Sequence, residues 1–212
     1  MRLLIALVLG AATAALGCSG LNDPTGPTAS LGPEQSPDYA VYDALLDGLA
    51  GHYLMGGATP YYIIADSTIV AAGGMDDIPS PYLEREFGPL LVPIVKAAQP
   101  DYRERSQSRV ALDARAFHAR GRVELVSNAA LATLDQTSAP NPHTYWRAFY
   151  ERFPGSTGSM SFSRPGYDAS RTHALLYYSH GCGDLCGDGG YVLLERRDGK
   201  WAVLRRVVTW MS

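Results

Sequence analysis

Charged residues are sparse in this 212-residue sequence, and neither sign is concentrated in one part of the chain. It contains 18 Lys and Arg residues against 21 Asp and Glu residues, for a formal net charge of −3. Nucleic-acid-binding proteins usually group their basic side chains on one face, whereas here those residues are scattered along the sequence. We therefore expect no nucleic acid among the partners.

The sequence also lacks intact motifs whose spacing carries a known mechanism. The stretch PGSTGS, residues 154–159, does not contain Gly-x-Ser-x-Gly, and no His-Glu-x-x-His occurs. The single Gly-Lys pair, Gly199-Lys200, is followed by Trp where a phosphate-binding loop needs Ser or Thr. Five carboxylates could act as acids or bases, but nothing in the sequence brings two of them together: Asp66, Glu84, Glu86, Asp101 and Glu104. We therefore assign no catalytic residue and no cofactor, and favour a non-enzymatic protein.

Cysteine is scarce, and the first of the three cysteines follows an apolar N-terminal segment. The chain begins MRLLIALVLGAATAALGCSG, with one Arg, an apolar run from Leu3 to Leu9 and small residues before Cys18. This is the pattern of an export signal that ends in a lipobox, in which a bacterial lipoprotein peptidase cleaves before a lipidated cysteine. The sequence predicts a signal peptide over residues 1–17 and lipidation at Cys18. An ordinary secretory signal, in which Cys18 is incidental, is the alternative.

The segment after the signal is typical of a flexible tether. Residues 18–37 are rich in Pro, Gly, Ser and Thr and have no apolar period, so they cannot bury enough surface to fold. A chain of this length has a reach of about 25 Å. We expect the N-terminal lipid to attach the protein to a bacterial membrane, and Ser19 after the cysteine favours the outer membrane, facing the periplasm or the cell surface.

Residues 38–212 fit one domain with a single core. Ser36-Pro37 followed by apolar residues at helical spacing predicts a helix that stops before Gly51. The β-branched segment from Tyr61 predicts a strand, and the proline-interrupted segment 80–99 predicts two short helical pieces. VALDARAF and GRVELVS, within residues 110–127, alternate weakly and are candidate strands.

The C-terminal third has the clearest pattern. Asn141-Pro142 opens a helix predicted over 142–153, whose Trp146, Phe149 and Phe153 form an aromatic stripe. Four strand candidates follow, over residues 159–164, 173–181, 190–197 and 201–210, and Asp198-Gly199 is a two-residue hairpin signal. We therefore predict an α+β domain with a C-terminal four-stranded antiparallel meander, preceded by an amphipathic helix.

The stretch SHGCGDLCGDGG, residues 179–190, contains the other two cysteines. If Cys18 carries the anchor, Cys182 and Cys186 form an even pair in an oxidising compartment, where pairs are normally bonded. Four-residue spacing lets the two Cα atoms approach to about 6 Å, which a disulfide requires. We predict a disulfide that closes the turn, with Gly187, Gly189 and Gly190 adopting positive φ angles as the chain re-enters the sheet.

The same stretch allows a metal site or a redox pair. His180, Cys182 and Cys186 could bind Zn²⁺ or Cu⁺, with His173 or His143 as a fourth ligand, although this spacing matches no common zinc module. Catalytic dithiols usually lie at a helix N-terminus, whereas a strand follows here. A cryptic enzyme or a metal-binding protein with a site around His180 is therefore the alternative function.

The C-terminal third resembles a signature of uncharacterised exported bacterial proteins, including lipoproteins. The shared elements are an aromatic helix with Trp, Pro-x-Ser-x-Gly, Phe-Ser-x-x-Gly-Tyr, Cys-Gly-x-Leu-Cys-Gly, Tyr-Val-Leu-Leu, Asp-Gly-Lys-Trp and a terminal Trp-x-Ser. In the same order, these elements lie at Trp146 and at residues 154–158, 162–167, 182–187, 191–194, 198–201 and 210–212. The resemblance implies export but no known activity. The layout is also loosely similar to cone-shaped folds of the nuclear-transport-factor or cystatin kind, which is an analogy of architecture. We expect a lipid-anchored envelope domain that binds a protein or a small molecule, or that has a structural role.

Overall fold

The computed structural model describes residues 36–53, 59–70, 81–138 and 142–212. The helices are α1 (Asp38–Tyr53), α2 (Pro81–Phe87), α3 (Val92–Arg105), α4 (Asn128–Ser138) and α5 (Pro142–Arg152). The strands are β1 (Tyr61–Ala65), β2 (Arg122–Val126), β3 (Ser159–Phe162), β4 (Gly166–Tyr167), β5 (His173–Gly183), β6 (Cys186–Arg197) and β7 (Lys200–Met211). The predicted signal peptide, Cys18 and most of the predicted tether lie outside the described residues.

The strands form one mixed sheet in the order β2-β1-β3-β5-β6-β7, with β4 beside β5. β3, β5, β6 and β7 pair antiparallel, which confirms the predicted α+β fold and its C-terminal meander. β1 pairs in parallel with both β2 and β3. Parallel neighbours need long crossover connections, and α2 with α3 and α4 with α5 supply them.

One face of the sheet is covered by α1. Its residues Tyr42, Leu45, Leu46 and Leu49 are buried against apolar side chains of β1, β3, β5 and β6, as the helical spacing predicts. The helix runs on to Tyr53, beyond the predicted end.

The opposite face carries the other helices in two groups. α2 and α3 pack over β5, β6 and β7, and α4 and α5 pack over β1 and β2. The two predicted helical pieces are confirmed as α2 and α3, but α3 is longer than predicted because it continues through Pro100 to Arg105. None of the helices in the described parts of the chain has the length and apolar character that crossing a membrane requires.

The two weakly alternating segments fold differently. GRVELVS forms β2, as predicted, whereas VALDARAF contributes only an isolated bridge at Ala111 and a short 3-10 turn over Ala114–Ala116. The prediction of a strand there is wrong because the Asp113 side chain accepts a hydrogen bond from the Arg115 backbone and closes the turn.

The hairpin between β6 and β7 is the one that the sequence predicts. Asp198 and Gly199 form its two-residue turn, with φ angles of 51° and 78°. Both residues are left-handed, as a turn that matches the twist of the flanking strands requires.

Candidate functional site at the disulfide-closed end of the sheet

The hairpin of β5 and β6 ends in a tight, covalently closed turn. Only Asp184 and Leu185 lie outside the strands, which therefore continue further than the sequence pattern predicts. Cys182 and Cys186 form a disulfide with their Cα atoms 5.0 Å apart, which confirms the predicted pairing. The Tyr150 hydroxyl of α5 donates a hydrogen bond to the Cys182 carbonyl at 2.8 Å, so the turn is also tied to a helix.

The glycines beside the disulfide lie in regular strand positions. Gly187, Gly189 and Gly190 do not have positive φ angles, so that prediction is wrong. They belong to β6, and Gly187 is the cross-strand partner of Gly181 in β5. Gly181, Gly187 and Gly189 together expose bare backbone on the face that carries α2 to α5, and we call them the glycine floor.

Trp210 of β7 lies against the glycine floor. A Cβ added to Gly189 would come within 2.3 Å of the indole Nε1, and one added to Gly187 would lie 3.3 Å from the same ring. The Nε1–H donates a hydrogen bond to the Tyr177 hydroxyl at 2.7 Å, which fixes the ring orientation. The glycines are therefore required by close approach of an aromatic ring rather than by backbone conformation.

Trp146 of α5 covers the neighbouring part of the floor. A Cβ on Gly181 would lie 3.1 Å from its six-membered ring, which also contacts Phe149 and Tyr150. Phe149 and Phe153 are buried as the predicted stripe requires, and Trp146 is half-buried. Trp146 and Trp210 therefore both lie on the glycine floor of the two paired strands.

Large apolar side chains are exposed at this end of the sheet. Leu185 at the turn exposes 89% of its surface, Met211 exposes 79% and Trp210 exposes 37%. Single exposed apolar residues are common on protein surfaces, but these three lie together at one end of the sheet, with Trp210 and Met211 on opposite faces of β7 beside the closed turn, and we call them the apolar patch. Such a patch can bury itself against a partner with little loss of conformational freedom.

On the opposite face, His180 belongs to a buried polar cluster. It exposes 1% of its surface, and its Nε2 lies 2.6 Å from the Thr157 carbonyl, which can only accept a hydrogen bond. Its Nδ1 lies 3.6 Å from an Asp188 carboxylate oxygen, and Asp188 accepts a hydrogen bond from the Tyr178 hydroxyl. Arg206 approaches the same carboxylate at 3.8 Å. These contacts tie β5, β6 and β7 together beneath the glycine floor.

The structure does not assemble the metal ligands that the sequence allows. Both sulfur atoms of Cys182 and Cys186 are bonded to each other, so neither supplies a thiolate. His173 lies at the far end of β5, where its Nδ1 contacts Asp168 at 3.0 Å, and the His143 side chain is outside what the structure describes. No group of three His, Cys, Asp or Glu side chains among the described residues could hold a metal ion.

The carboxylates that the sequence leaves open have separate positions and local partners. Glu84 pairs with Lys96 at 3.1 Å, and Glu86 pairs with its neighbour Arg85. Asp101 accepts a hydrogen bond from the Tyr167 backbone at 2.7 Å. Asp66 directly follows β1, and its backbone forms hydrogen bonds with the backbones of Val126 and Leu112. Glu104 lies in the last turn of α3. None of the described contacts joins two of the five.

Sequence reasoning misses an ion pair at the end of the sheet opposite the disulfide. Arg105 contacts both oxygens of the Asp38 carboxylate at 2.8 and 2.7 Å, and the Tyr167 hydroxyl donates to the same group at 2.9 Å. Burial, together with Asp38, raises the pKa of Tyr167, so its phenol keeps the donating proton. Because 67 residues separate Asp38 from Arg105, no local pattern could reveal the pair.

A turn between β4 and β5, also missed, completes this end. The Asp168 carboxylate accepts hydrogen bonds from the backbone of Thr172 and His173 and from the Ser170 hydroxyl. Burial alone would raise the pKa of Asp168, but the bonds from His173, Ser170 and Thr172 outweigh it and hold the pKa well below its usual range. We call Asp38, Arg105, Tyr167 and this turn the attachment end, because the predicted tether, residues 18–37, ends directly before Asp38 in the sequence.

No protein-family model, curated protein or solved structure matches this chain. The functional assignment therefore depends on the geometry of the site itself.

Proposed function

We propose that this is a lipid-anchored bacterial envelope protein whose globular domain is a non-enzymatic binding domain. The resemblance to exported bacterial proteins and the predicted lipidation of Cys18, with sorting to the outer membrane, belong to the same proposal. The observation that carries the binding role is the exposed apolar patch of Leu185, Trp210 and Met211. In this proposal the apolar patch contacts a protein or a small-molecule partner.

The construction of the patch supports this role. Trp is enriched at binding surfaces because it combines a large apolar area with one polar group. Here the indole of Trp210 is held by Tyr177 and the glycine floor, and the turn that carries Leu185 is held by a disulfide. A rigid apolar surface loses less entropy when it binds than a mobile one does.

The position of the patch supports it as well. Tyr167 contacts Asp38 at the start of α1 and pairs with Ala174 near the start of β5. Cys182 lies eight residues further along that strand, which corresponds to roughly 27 Å. A lipid tether that ends at residue 37 would therefore join the domain at Asp38, at the end of the sheet away from the patch.

The matched leucines Leu185 and Leu90 provide the test. They expose 89% and 87% of their surfaces, and Leu90 lies in the turn between α2 and α3. A photo-crosslinking amino acid placed at either position in the full chain should give a discrete crosslinked product in intact cells only from position 185. Equal products from both positions, or none from position 185, would refute the binding role of the patch.

The anchoring half of the proposal has its own test. Cys18→Ser should leave an unprocessed or mislocalised precursor, whereas the wild type carries an acyl mass and partitions into detergent. A mature N-terminus several residues beyond Cys18, without acyl mass, would show that the chain is an ordinary secreted protein.

A further inference from the structure

A separate cavity of about 260 Å³ lies between the edge strand β2 and the helices α4 and α5. Its volume is somewhat below that of pockets that hold drug-sized ligands, so it suits a smaller molecule. Its main wall residues come from the end of β2, from α4 and from the end of α5: Glu124, Val126, Ser127, Leu134, Arg152 and Phe153.

The floor of the cavity is apolar and well supported. Val126 and Phe153 are buried in one cluster with Ile63 and Phe149, and Leu134 packs against that cluster. A ligand that enters the cavity can therefore remove its own apolar surface from water without rearranging the core.

Arg152 supplies a cationic group in the wall of the cavity. The Arg152 guanidinium lies 5.1 Å from the centre of the Phe153 ring and makes no hydrogen bond or ion pair with any residue that the structure describes. A guanidinium presents a planar fork of donors that matches the two oxygens of a carboxylate.

An acceptor faces the same cavity. Glu124 receives hydrogen bonds from the Tyr61 hydroxyl at 2.5 Å and from Arg122 at 2.6 Å, both at its Oε2 atom. Burial, with Glu124 adding to it, raises the pKa of Tyr61, so the phenol stays protonated and keeps donating. Within the described residues Oε1 accepts no hydrogen bond, and this oxygen can accept one from a ligand.

We infer that this cavity binds a small molecule with a carboxylate at one end, an ammonium group at the other and a short apolar stretch between them. The carboxylate pairs with Arg152, the apolar stretch covers Val126 and Phe153, and the ammonium group donates to Glu124 Oε1. This site shares no residue with the apolar patch, so it can exist whether or not the patch has a partner.

The probes are 6-aminohexanoate, hexanoate and hexylamine, titrated into the full chain in detergent by calorimetry with a micelle blank. Of the three probes, 6-aminohexanoate should bind most tightly, because only this molecule can pair with both Arg152 and Glu124. Arg152→Gln should weaken its binding by at least about tenfold, since a charge-assisted pair is lost. Glu124→Gln should bring 6-aminohexanoate and hexanoate closer in affinity.

Two further variants keep the result interpretable. Arg147→Gln changes another exposed arginine of α5 that is not part of the cavity wall, and should leave the affinity unchanged. Leu134→Trp should fill the cavity and abolish binding, with retained folding checked by thermal unfolding. Absence of saturable binding to the wild type, equal losses in the two arginine variants, or full binding by Leu134→Trp would overturn the inference.

Discussion

The two ends of the β5–β6 hairpin differ in which side chains they bury: one end buries paired polar groups, and the other exposes apolar groups. At the attachment end, the buried Asp38 carboxylate is matched by Arg105 and by a tyrosine hydroxyl, and the neighbouring turn is organised by Asp168. At the disulfide-closed end, the strands are rich in glycine, and Leu185 and other large apolar side chains face solvent.

This difference separates residues that stabilise the domain from residues that are available for binding. Buried charges with matched partners destabilise the fold strongly when one partner is removed. Leu185 and Met211 contribute little to folding, because most of their surface stays accessible to water in the folded chain. The attachment end should therefore be sensitive to substitution in stability assays, whereas Leu185 and Met211 should be sensitive only in binding assays.

The largest expected effect is at the attachment end. Arg105→Met leaves the Asp38 carboxylate buried without its cation and should reduce the free energy of unfolding by about 3–5 kcal/mol. Urea denaturation of the full chain in detergent measures it. The double variant Asp38→Leu, Arg105→Met should lose much less, because no unpaired charge is left. A loss below about 1 kcal/mol in the single variant would show that this end does not stabilise the fold.

The next effect depends on pH. Asp168→Asn removes a carboxylate that accepts several hydrogen bonds and should cost about 2–3 kcal/mol at neutral pH. The pKa of Asp168 is lowered in the folded state, so its contribution is complete above the unfolded pKa of about 3.9 and is lost as the pH falls through the lower folded value. The unfolding free energies of the wild type and of Asp168→Asn should therefore converge as the pH falls below about 4. A constant difference between them from pH 7 to pH 3 would contradict this role of the Asp168 carboxylate.

Within the disulfide-closed end, the glycine floor predicts a graded series. Gly189→Ala places a Cβ where the Trp210 indole lies and should cost about 2 kcal/mol, with a red shift of tryptophan fluorescence as the ring moves into water. Gly181→Ala meets Trp146 at 3.1 Å and should cost less than about 1 kcal/mol. Equal costs at the two positions would mean that the indoles do not lie on the floor as described.

A modest stability effect is also expected from the disulfide. The Cys182→Ser, Cys186→Ser double variant opens a very short loop and should lose at most about 2 kcal/mol, measured as a modest fall in the melting temperature. The variant should still fold. Two free thiols in the denatured, non-reduced wild type would contradict the bond itself.

Sequence patterns predict the elements whose information is local. The apolar spacing of α1, the aromatic stripe of α5, the Asp198-Gly199 turn and the pairing of the last two cysteines all depend on residues close together in the chain. The parallel placement of β2 beside β1 depends on helical crossovers, which a weakly alternating segment does not specify.

The chemistry of the two ends is mostly non-local, which limits what the sequence can reveal. The stretch around Cys182 stands out, but its glycines are explained by Trp146 and Trp210, which come from a distant helix and from another strand. His180 resembles a metal ligand in sequence, yet its bond to Thr157 follows from the neighbouring position of β3 in the sheet. The Asp198-Gly199 hairpin signal, which brings Trp210 beside the glycine-rich strand, could have suggested that a ring lies on these glycines.

We expect a partner in the envelope to cover the patch, and hydroxyl-radical footprinting measures this coverage on the native side chains. Leu185 and Leu90 have the same chemistry and nearly equal exposure, so their oxidation rates should be similar in the purified full chain. In intact envelopes we expect Leu185 and Met211 to become protected while Leu90 keeps its oxidation rate. Unchanged rates at Leu185 and Met211 in the envelope would contradict the proposed function.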